Sequence, residues 1–542
     1  MEDVVKKDIP GMLKRAERFQ IILIGEGVLV GAVAGLVVLL YRVALEYAGH
    51  WLSKVLEFAG QSIAYMAVWF VVLLIMAWIV SRLVKFEPMI SGSGIPQLKG
   101  EMTGMFDQRW FKVLAAKFVG GFLCIFGGLA LGREGPSIQI GAMAGKGISK
   151  CLDRGKTEER FLLTCGASAG LAAAFHAPLA GVMFSLEEIH KNFSVSVLLS
   201  VMTASITADY LCSVILGVDS VFRFDIVASL PPSYYWLLLV LGVVLGVMGA
   251  FYNWFTLKVQ ALYNKFNISK STSLNGYAKV AIPFLCAGVL GFTCPQLLGS
   301  GHALIENMAA GEMVLGTIIL IFIGRFIFSA VSFGSGAPGG IFFPLLVLGG
   351  FIGGAFGTAA ADYIGMDPMY INNFVALAMA GYFAAIVRAP ITGIVLIFEM
   401  TGSLDQMLSL SVVSIVAYIT ATMLRSEPIY ESLLDRLWEK VRAQEEETVE
   451  DKTSENEPKR RQKVLAEYGI RHSSPADGKL IKDIDWPDNC LLVAIQRGEK
   501  EIIPKGQTRL QAGDIIVTMT DERDEVYVYE RLEKICRETM RR

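Results

Sequence analysis

The feature that most constrains this chain is a carboxylate at the end of a long apolar segment. Glu134 lies in the stretch Gly132–Ser137 (GREGPS), which directly follows the apolar run 113–131. An ionisable group at membrane depth is costly and usually marks an ion or proton pathway. Glycine on both sides of the acid lets backbone N–H groups come close to a ligand. We therefore take Glu134 as the first candidate functional residue.

The rest of the chain has the composition of a multi-pass membrane protein. Of its 542 residues, 53% are hydrophobic and only 18% are charged, whereas soluble domains carry about 25% charged residues. The eight cysteines show no metal-ligand spacing, so we expect no metal site. We predict a polytopic membrane protein, because a soluble core does not need this many apolar runs, and we expect no enzymatic activity. The runs lie near 20–43, 64–84, 113–131, 161–186, 194–217, 234–256, 279–297, 313–333, 341–361, 373–398 and 407–424.

Several of these runs are interrupted by loops rich in glycine and proline. The loops Ser91–Gly100, Gly132–Ser137 and Gly334–Pro344 fall among the hydrophobic segments. Irregular backbone at membrane depth is tolerated only where it is buried in protein or lines a cavity. The pattern therefore predicts discontinuous helices of the kind that form substrate sites in transporters.

Two internal matches predict duplicated halves. The segment 177–182 (APLAGV) resembles 389–394 (APITGI), which lies 212 positions later by subtraction. The segments 132–136 and 340–344 share the pattern G-x-x-x-P at an offset of 208. We place the two halves at roughly 20–217 and 230–424 within a transport domain of residues 1–430, and we expect the substrate site at their interface.

The last quarter of the chain has a different character. Residues 431–463 are dense in charge and predict an exit helix that runs into a linker. Residues 464–542 predict a small α+β domain, with a hairpin turning at Gly498, a strand at 513–518 and a helix at 522–541. Positive charge near the first apolar run predicts a cytoplasmic N-terminus, and the tail should lie on the same side. The charges concerned are Lys6, Lys7, Lys14, Arg15 and Arg18.

The interrupting loops have the chemistry of a weak anion site. Ser93 offers a hydroxyl between two glycines, and residues 340–342 offer backbone N–H groups at a predicted helix start. The helix macrodipole supplies roughly half a positive charge there. Partial charges suit turnover, because a full charge in low dielectric would hold the anion too tightly. The Glu134 carboxylate could occupy such a site in place of the substrate and leave it when protonated.

The three loops together resemble the CLC chloride channel/transporter family. The chain carries G-S-G-I-P at Gly92–Pro96, G-R-E-G-P at Gly132–Pro136 and G-x-F-x-P at Gly340–Pro344, with a tyrosine at Tyr430. The resemblance covers about residues 20–430. It implies an all-α polytopic fold with a CLC-type inverted repeat of broken helices, assembled as a homodimer with one pore per subunit.

The resemblance also implies roles for individual residues. The hydroxyls of Ser93 and Tyr430 and the N–H groups of Ile341 and Phe342 would bind the anion, and Glu134 would be the external gate. Proton-coupled members of the family resemble this chain at residues 184–188, where the second glutamate serves as the internal proton acceptor.

Glu188 falls on that position of the second glutamate, and its counterpart in the other half is Met400. The acid is therefore an addition to one half of the repeat. We predict a secondary active transporter that exchanges chloride, or a similar monovalent anion, for protons across the cell membrane. We expect no nucleic-acid partner.

The tail resembles the C-terminal subdomain of RCK/TrkA potassium-transport regulators over Leu492–Asp514. This resemblance implies a cytoplasmic regulatory dimer that could bind a small nucleotide-like ligand. A role in assembly alone is the alternative. We predict no other cofactor.

Other interpretations of the chain remain open at this stage. The transport domain could be a passive voltage- or pH-gated chloride channel or a fluoride exporter, and only the tail suggests a subunit of a potassium system. Ser93 could be a turn residue, and Tyr430 an aromatic residue at the membrane interface. The matched acids Glu187 and Glu399 could be structural groups at helix ends or could take part in transport. Glu26 and Lys117 are more simply explained as snorkelling or buried hydrogen-bonded groups.

Overall fold

The computed structural model describes residues 9–191, 195–217, 230–265, 272–311, 313–452, 463–471, 474–487, 490–497, 500–521 and 525–536. It divides into two compact units, Met1–Arg442 and Ala443–Arg542. The first unit is helical where it is described, and the second contains a small sheet. The predicted fold class, an all-α membrane domain followed by a small α+β domain, is confirmed.

The first unit is built from helices of very unequal length. Eight of the described helical segments are long and apolar enough to cross a membrane, and shorter helices lie between them. The helices are α1 Ile9–Ala59, α2 Ile63–Phe86, α3 Ile95–Thr103, α4 Trp110–Phe126, α5 Glu134–Cys151, α6 Lys156–Phe175, α7 Pro178–Phe184, α8 Val195–Leu216, α9 Tyr235–Lys265, α10 Thr272–Thr293, α11 His302–Ala309, α12 Leu315–Gly334, α13 Phe342–Ile364, α14 Ile371–Val387, α15 Pro390–Thr401, α16 Met407–Met423 and α17 Ile429–Lys452.

Two apolar runs that read as single segments in the sequence are each divided by a proline. The run 161–186 divides into α6 and α7 at Pro178, and the run 373–398 divides into α14 and α15 at Pro390. Proline is well tolerated at the start of a helix and breaks a helix interior. The residues that end α6 and α14, His176 and Arg388, both have left-handed backbone with φ values of 51° and 71°. They are also 212 positions apart, so the repeat extends to the backbone conformation.

The two halves are joined by reciprocal capping of helix ends. The Glu187 carboxylate accepts hydrogen bonds from the N–H groups of Ile391 and Thr392 at the start of α15, at 3.3 and 2.8 Å. The Glu399 carboxylate accepts hydrogen bonds from the N–H groups of Leu179 and Ala180 at the start of α7, at 2.9 and 2.7 Å. Each half therefore supplies the acid that caps a helix of the other half. Of the two roles left open for these acids, the contacts favour the structural one.

The second unit contains a four-stranded antiparallel sheet. Its strands are β1 Lys463–Gly469, β2 Cys490–Arg497, β3 Lys500–Ile502 and β4 Ile515–Asp521, in the order β1-β4-β2-β3, and α18 Glu525–Cys536 follows them. The predicted hairpin corresponds to β2 and β3, which pair antiparallel with Ile495 opposite Ile502. Its turn, residues 498–499, lies outside the described residues, as do residues 453–462 of the predicted linker and both ends of the predicted helix 522–541. The sheet and helix share a core that includes Ile495, Ile516 and Leu532.

Candidate functional site

Three loops meet inside the first unit, one from each signature motif. Gly132 and Gly340 pair as an isolated antiparallel bridge, with N···O distances of 2.7 Å from Gly132 N to Gly340 O and 2.8 Å in the other direction. The N–H of Gly339 donates to the carbonyl of Gly92 at 3.0 Å. The two G-x-x-x-P loops, which are 208 positions apart, are therefore in direct contact. These contacts lie at the interface of the two predicted halves, where the repeat predicts the substrate site.

Ser93 lies in a buried loop held by a lysine. Gly92 and Gly94, on either side of it, have left-handed backbone with φ values of 64° and 92°, which glycine adopts without strain. The Ser93 hydroxyl oxygen accepts a hydrogen bond from Ile95 N at 3.3 Å. That bond uses a lone pair and leaves the hydroxyl hydrogen for a ligand. The loop ends at the start of α3, where Pro96 occupies the first turn.

Lys117 is fully buried behind this loop. Its ammonium donates to the carbonyls of Ile90 and Gly92 at 2.8 and 2.6 Å. The sequence left snorkelling and buried hydrogen bonding as the simple explanations of Lys117, and these contacts confirm buried hydrogen bonding. From the sequence the anion site needs no lysine, whereas in the structure the Lys117 side chain supports the loop directly before Ser93 through its two hydrogen bonds.

The second loop ends at the start of α13. Ile341 is the residue before the helix and Phe342 is its first residue, and both are completely buried. The first N–H groups of a helix have no partner within it, so they present partial positive charge to a ligand. The Phe342 ring packs against Phe175, Phe184 and Phe383, with centroid distances of 5.5, 5.6 and 4.6 Å. This aromatic packing fixes the helix start and excludes water around it.

Tyr430 occupies the first turn of α17 and is completely buried. Among the described residues its hydroxyl has no hydrogen-bond partner. Buried polar atoms are almost always paired, so this hydroxyl is a donor in need of a ligand. Glu134 and Glu188 are both near enough to interact with it electrostatically. Buried as it is, Tyr430 is not an interfacial aromatic residue.

Glu134 lies in the first turn of α5 with 1% of its surface exposed. A Cβ atom placed on Gly132 would clash with Oε2 of Glu134 and lie 3.2 Å from the backbone N of Phe343. The carboxylate therefore occupies space beside the first turn of α13, and only glycine at position 132 leaves room for it. The Arg133 guanidinium is 3.8 Å from the other carboxylate oxygen. Glu134 also lines a cavity of about 840 Å³ together with Arg133, Glu46 and Phe343.

Glu188 lies in a short π-helical segment, Ser185–His190, which continues α7. It is 5% exposed, and its Oε1 accepts a hydrogen bond from the Lys99 ammonium at 2.8 Å. Lys99 is in turn 3.7 Å from Glu431. The sequence analysis missed both Lys99 and Glu431. A signal did exist, because a buried acid needs a cationic partner and Lys99 follows the G-S-G-I-P loop by three residues.

A separate group of acids has the spacing of a metal site but is occupied by lysines. Ligand oxygens of Glu101, Asp107 and Glu159 lie within 4.8 Å of one another. Lys146 is bound by Glu101 and, at 2.6 Å, by Asp107. Lys150 and Lys156 each lie 3.0 Å from Glu159. The positive charge that a metal ion would supply is already present, so these groups form an ion-pair cluster.

The arrangement can bind a small anion weakly and can exchange it for a carboxylate. Ser93, the first turn of α13 and Tyr430 offer hydroxyl and N–H donors within a water-poor interior. Glu134 places a negative group against the same helix terminus, and a carboxylate and a monovalent anion cannot share one site at low cost.

Comparison with known proteins gives two family matches. Residues 72–422 match the model of the voltage gated chloride channel family, and residues 465–529 match that of the TrkA-C domain. The chain is 35% identical over 429 residues to the H(+)/Cl(-) exchange transporter ClcA of Citrobacter koseri, which covers 77% of this chain and 90% of the relative. It is 37% identical over 429 residues to the protein of the same name from Vibrio cholerae, with the same coverage.

Solved structures give a similar result. A slow cyanobacterial Cl⁻/H⁺ antiporter superposes with a TM-score of 0.73 at 29% identity, over 77% of this chain and 98% of the other. A CLC-type fluoride/proton antiporter superposes with a TM-score of 0.60 at 20% identity, over 76% of this chain and 96% of the other. The second likeness shows the shared fold alone.

Proposed function

This chain belongs to the voltage gated chloride channel family, and on that premise we propose that it is a secondary active transporter that exchanges chloride, or a similar monovalent anion, for protons. Two curated relatives that are 35% and 37% identical to it over 429 residues are H(+)/Cl(-) exchange transporters. The 29% identical structure is a Cl⁻/H⁺ antiporter. The chain is thus a multi-pass membrane transporter, and anion–proton exchange itself involves no enzymatic step.

The observation that carries the exchange mechanism is the contact between the Glu134 carboxylate and the start of α13. Ser93, Tyr430 and the N–H groups of Ile341 and Phe342 bind the anion in this proposal. Glu134 is the external gate: its ionised carboxylate occupies the site, and a proton converts it to a neutral group that an anion can displace. Each displacement therefore links one protonation to the entry of an anion.

Two ion pairs made by α1 support a position for Glu134 near one membrane face. Glu46 on α1 is 3.7 Å from Arg133 beside Glu134. Twenty positions earlier on the same helix, Glu26 is bound to Arg154, which ends the turn after α5. Twenty residues of helix span about 30 Å, the thickness of the hydrocarbon layer. Glu134 is therefore placed toward one membrane face and the Arg154 region toward the other.

The positive charges near the N-terminus support a cytoplasmic position for the face near Glu26 and Arg154. In the proposal, the cavity at Glu134 therefore opens to the outside. In the proposal, Glu188 serves as the internal proton acceptor. The transporter lies in the cell membrane, with the N-terminus and the tail in the cytoplasm.

The second unit is the regulatory part of the proposal. Residues 465–529 match the TrkA-C domain, and the unit has its own core. We assign it to a cytoplasmic dimer within a homodimeric transporter. A small nucleotide-like molecule is its proposed ligand, with assembly alone as the second possibility.

Flux in proteoliposomes tests the exchange function directly. Purified protein is reconstituted with an imposed chloride gradient and a pH probe inside the vesicles, and a potassium ionophore clamps the voltage at zero. Outward chloride movement should drive protons inward against their gradient. A passive channel would pass chloride under the same gradient with no uphill proton movement, and that result would refute the proposal. Fluoride in place of chloride shows whether the exchanger is specialised for that ion.

A further inference from the structure

The Glu188 side chain is almost inaccessible to solvent. Glu188 is 5% exposed and Lys99, its hydrogen-bond partner, is buried as well. Glu431, on the other side of Lys99, has 42% of its side chain exposed. The contacts run from solvent at Glu431, through Lys99, to the buried carboxylate. The distances along this series are 3.7 and 2.8 Å.

A cavity of about 330 Å³ opens at the outer end of this series. Its polar lining consists of Lys99, Thr103, Arg160, His190, Lys191 and Glu431. It is large enough to hold several water molecules, each of which takes about 30 Å³ of liquid volume. Water therefore reaches Glu431 and Lys99, while Glu188 lies behind them.

We propose that this cavity is the cytoplasmic proton entrance, and that protons pass from Glu431 through Lys99 to Glu188. The inference rests on the proposed exchange function and extends it, because it names the groups that supply Glu188 with protons. Glu431 directly follows Tyr430, so the entrance lies one residue from a proposed anion ligand.

The transfer balances in protons and charge. A hydronium ion in the cavity first gives its proton to the Glu431 carboxylate and becomes water. The Lys99 ammonium gives a proton to the Glu188 carboxylate, which leaves a neutral amine and a neutral carboxylic acid, and the amine then takes the proton from the Glu431 side chain. One proton has moved from the cavity to Glu188, and Lys99 and Glu431 have returned to their starting ammonium and carboxylate states.

The charged groups around the series come from four elements. Lys99 is on α3, Glu431 is on α17, and Lys191 follows the π-helical segment and binds Glu431 at 2.5 Å. His190 lies in that segment and its Nδ1 is 3.1 Å from the Thr164 hydroxyl. Arg160 is on α6. Lys191 is the group that competes with Lys99 for Glu431.

A lysine-to-arginine exchange separates proton transfer from simple charge pairing. Arginine keeps the positive charge and the ion pair but does not lose its proton in proteins. Lys99→Arg should therefore lower chloride-driven proton flux by about a hundredfold, the usual size of a proton-transfer contribution, and leave chloride flux in place. Lys191→Arg makes the same chemical change in the same cavity and should keep parental proton flux. A Lys99→Arg protein with parental proton flux would overturn the relay.

Glu431 is tested in the same assay by a matched pair of substitutions. Glu431→Gln should reduce proton flux by about a hundredfold, and Glu431→Asp should restore it. Asp435→Asn removes the same charge from the exposed face of α17, one turn along, and should have no effect. Parental proton flux in Glu431→Gln would exclude Glu431 from the route.

Proton flux of the unmodified protein distinguishes a failure of the relay from a failure of the exchange function on which the relay rests. If the parent drives protons uphill and the Lys99 and Glu431 variants do too, only the relay is wrong. If the parent itself moves no protons, the exchange function is wrong and the relay falls with it. Retained chloride flux in each variant shows that the protein is folded.

Discussion

At the scale of single residues, the central group of the proposed mechanism is a carboxylate that competes with the transported anion for one site. Glu134 is nearly inaccessible and lies beside the backbone N of Phe343, within the first turn of α13. A helix start binds any small negative group, whether an inorganic anion or a side chain. The proposed coupling of anion and proton follows from this competition.

Replacing Glu134 with glutamine tests that competition. The amide neither takes up a proton nor carries the charge that competes with chloride, so Glu134→Gln should reduce chloride-driven proton flux by roughly a hundredfold or more. Chloride flux should persist and lose its dependence on external pH. The measurement is paired chloride and pH recording in proteoliposomes. Glu46→Gln makes the same change in the same cavity, at a side chain that is 52% exposed, and should stay coupled. Full coupling in Glu134→Gln would remove Glu134 from the mechanism.

At the scale of elements, the two repeated halves are held together by crossed helix caps. Glu187 follows α7 and caps α15, whereas Glu399 ends α15 and caps α7. A negative group at a helix start satisfies free N–H groups and interacts favourably with the macrodipole. Both helices begin with a proline, so their remaining first-turn N–H groups depend on these acids. The caps therefore keep the broken helices of the two halves in register.

Removing one cap should weaken the interface without altering selectivity. Glu399→Gln and Glu187→Gln should each destabilise the protein by about 0.5–2 kcal/mol, seen as a lower midpoint of thermal unfolding in detergent. The two effects should be similar because the caps are related by the repeat. Asp362→Asn, at an exposed acid near the end of α13, is the control. An unchanged midpoint together with lost proton coupling would instead show that the acid takes part in transport.

At the scale of the whole molecule, the chain consists of two units with separate cores. The first contains the proposed anion and proton sites, and the second contains the four-stranded sheet and α18. In the second unit, burial alone would raise the pKa of Asp514, but hydrogen bonds from Arg497 and from the Gln511 N–H outweigh burial and hold that pKa below its ordinary value. Asp514 anchors the turn before β4 in this way.

The depressed pKa of Asp514 predicts a pH dependence confined to the tail. Its contribution to stability is fully present above the unfolded-state pKa of about 4, and it is lost as pH falls through the lower folded-state value. Asp514→Asn should lose about 1–3 kcal/mol at neutral pH, measured as faster hydrogen exchange in β4 of the full chain. The loss should shrink on acidification. The chloride selectivity of Asp514→Asn should match that of the parent, and so should the selectivity of a protein truncated after Lys463. Altered selectivity in either protein would contradict the assignment of transport to the first unit alone.

The sequence by itself determined the fold class, the broken helices and the identity of the signature loops. These depend on local chemistry: apolar runs of bilayer length, glycine and proline at the breaks, and a costly acid at membrane depth. The offsets of 212 and 208 positions also predict the two halves, because duplicated segments keep their order along the chain. For these features, residue type and spacing are sufficient.

The tertiary structure alone decided which groups meet. Sequence spacing does not show that Gly132 pairs with Gly340, that Glu399 caps a helix 220 positions earlier, or that Lys99 binds Glu188, 89 positions away. Such contacts depend on how the halves pack, and buried charges obtain their partners only through that packing. The lysine between Glu188 and Glu431 is therefore visible in the fold and not in any motif.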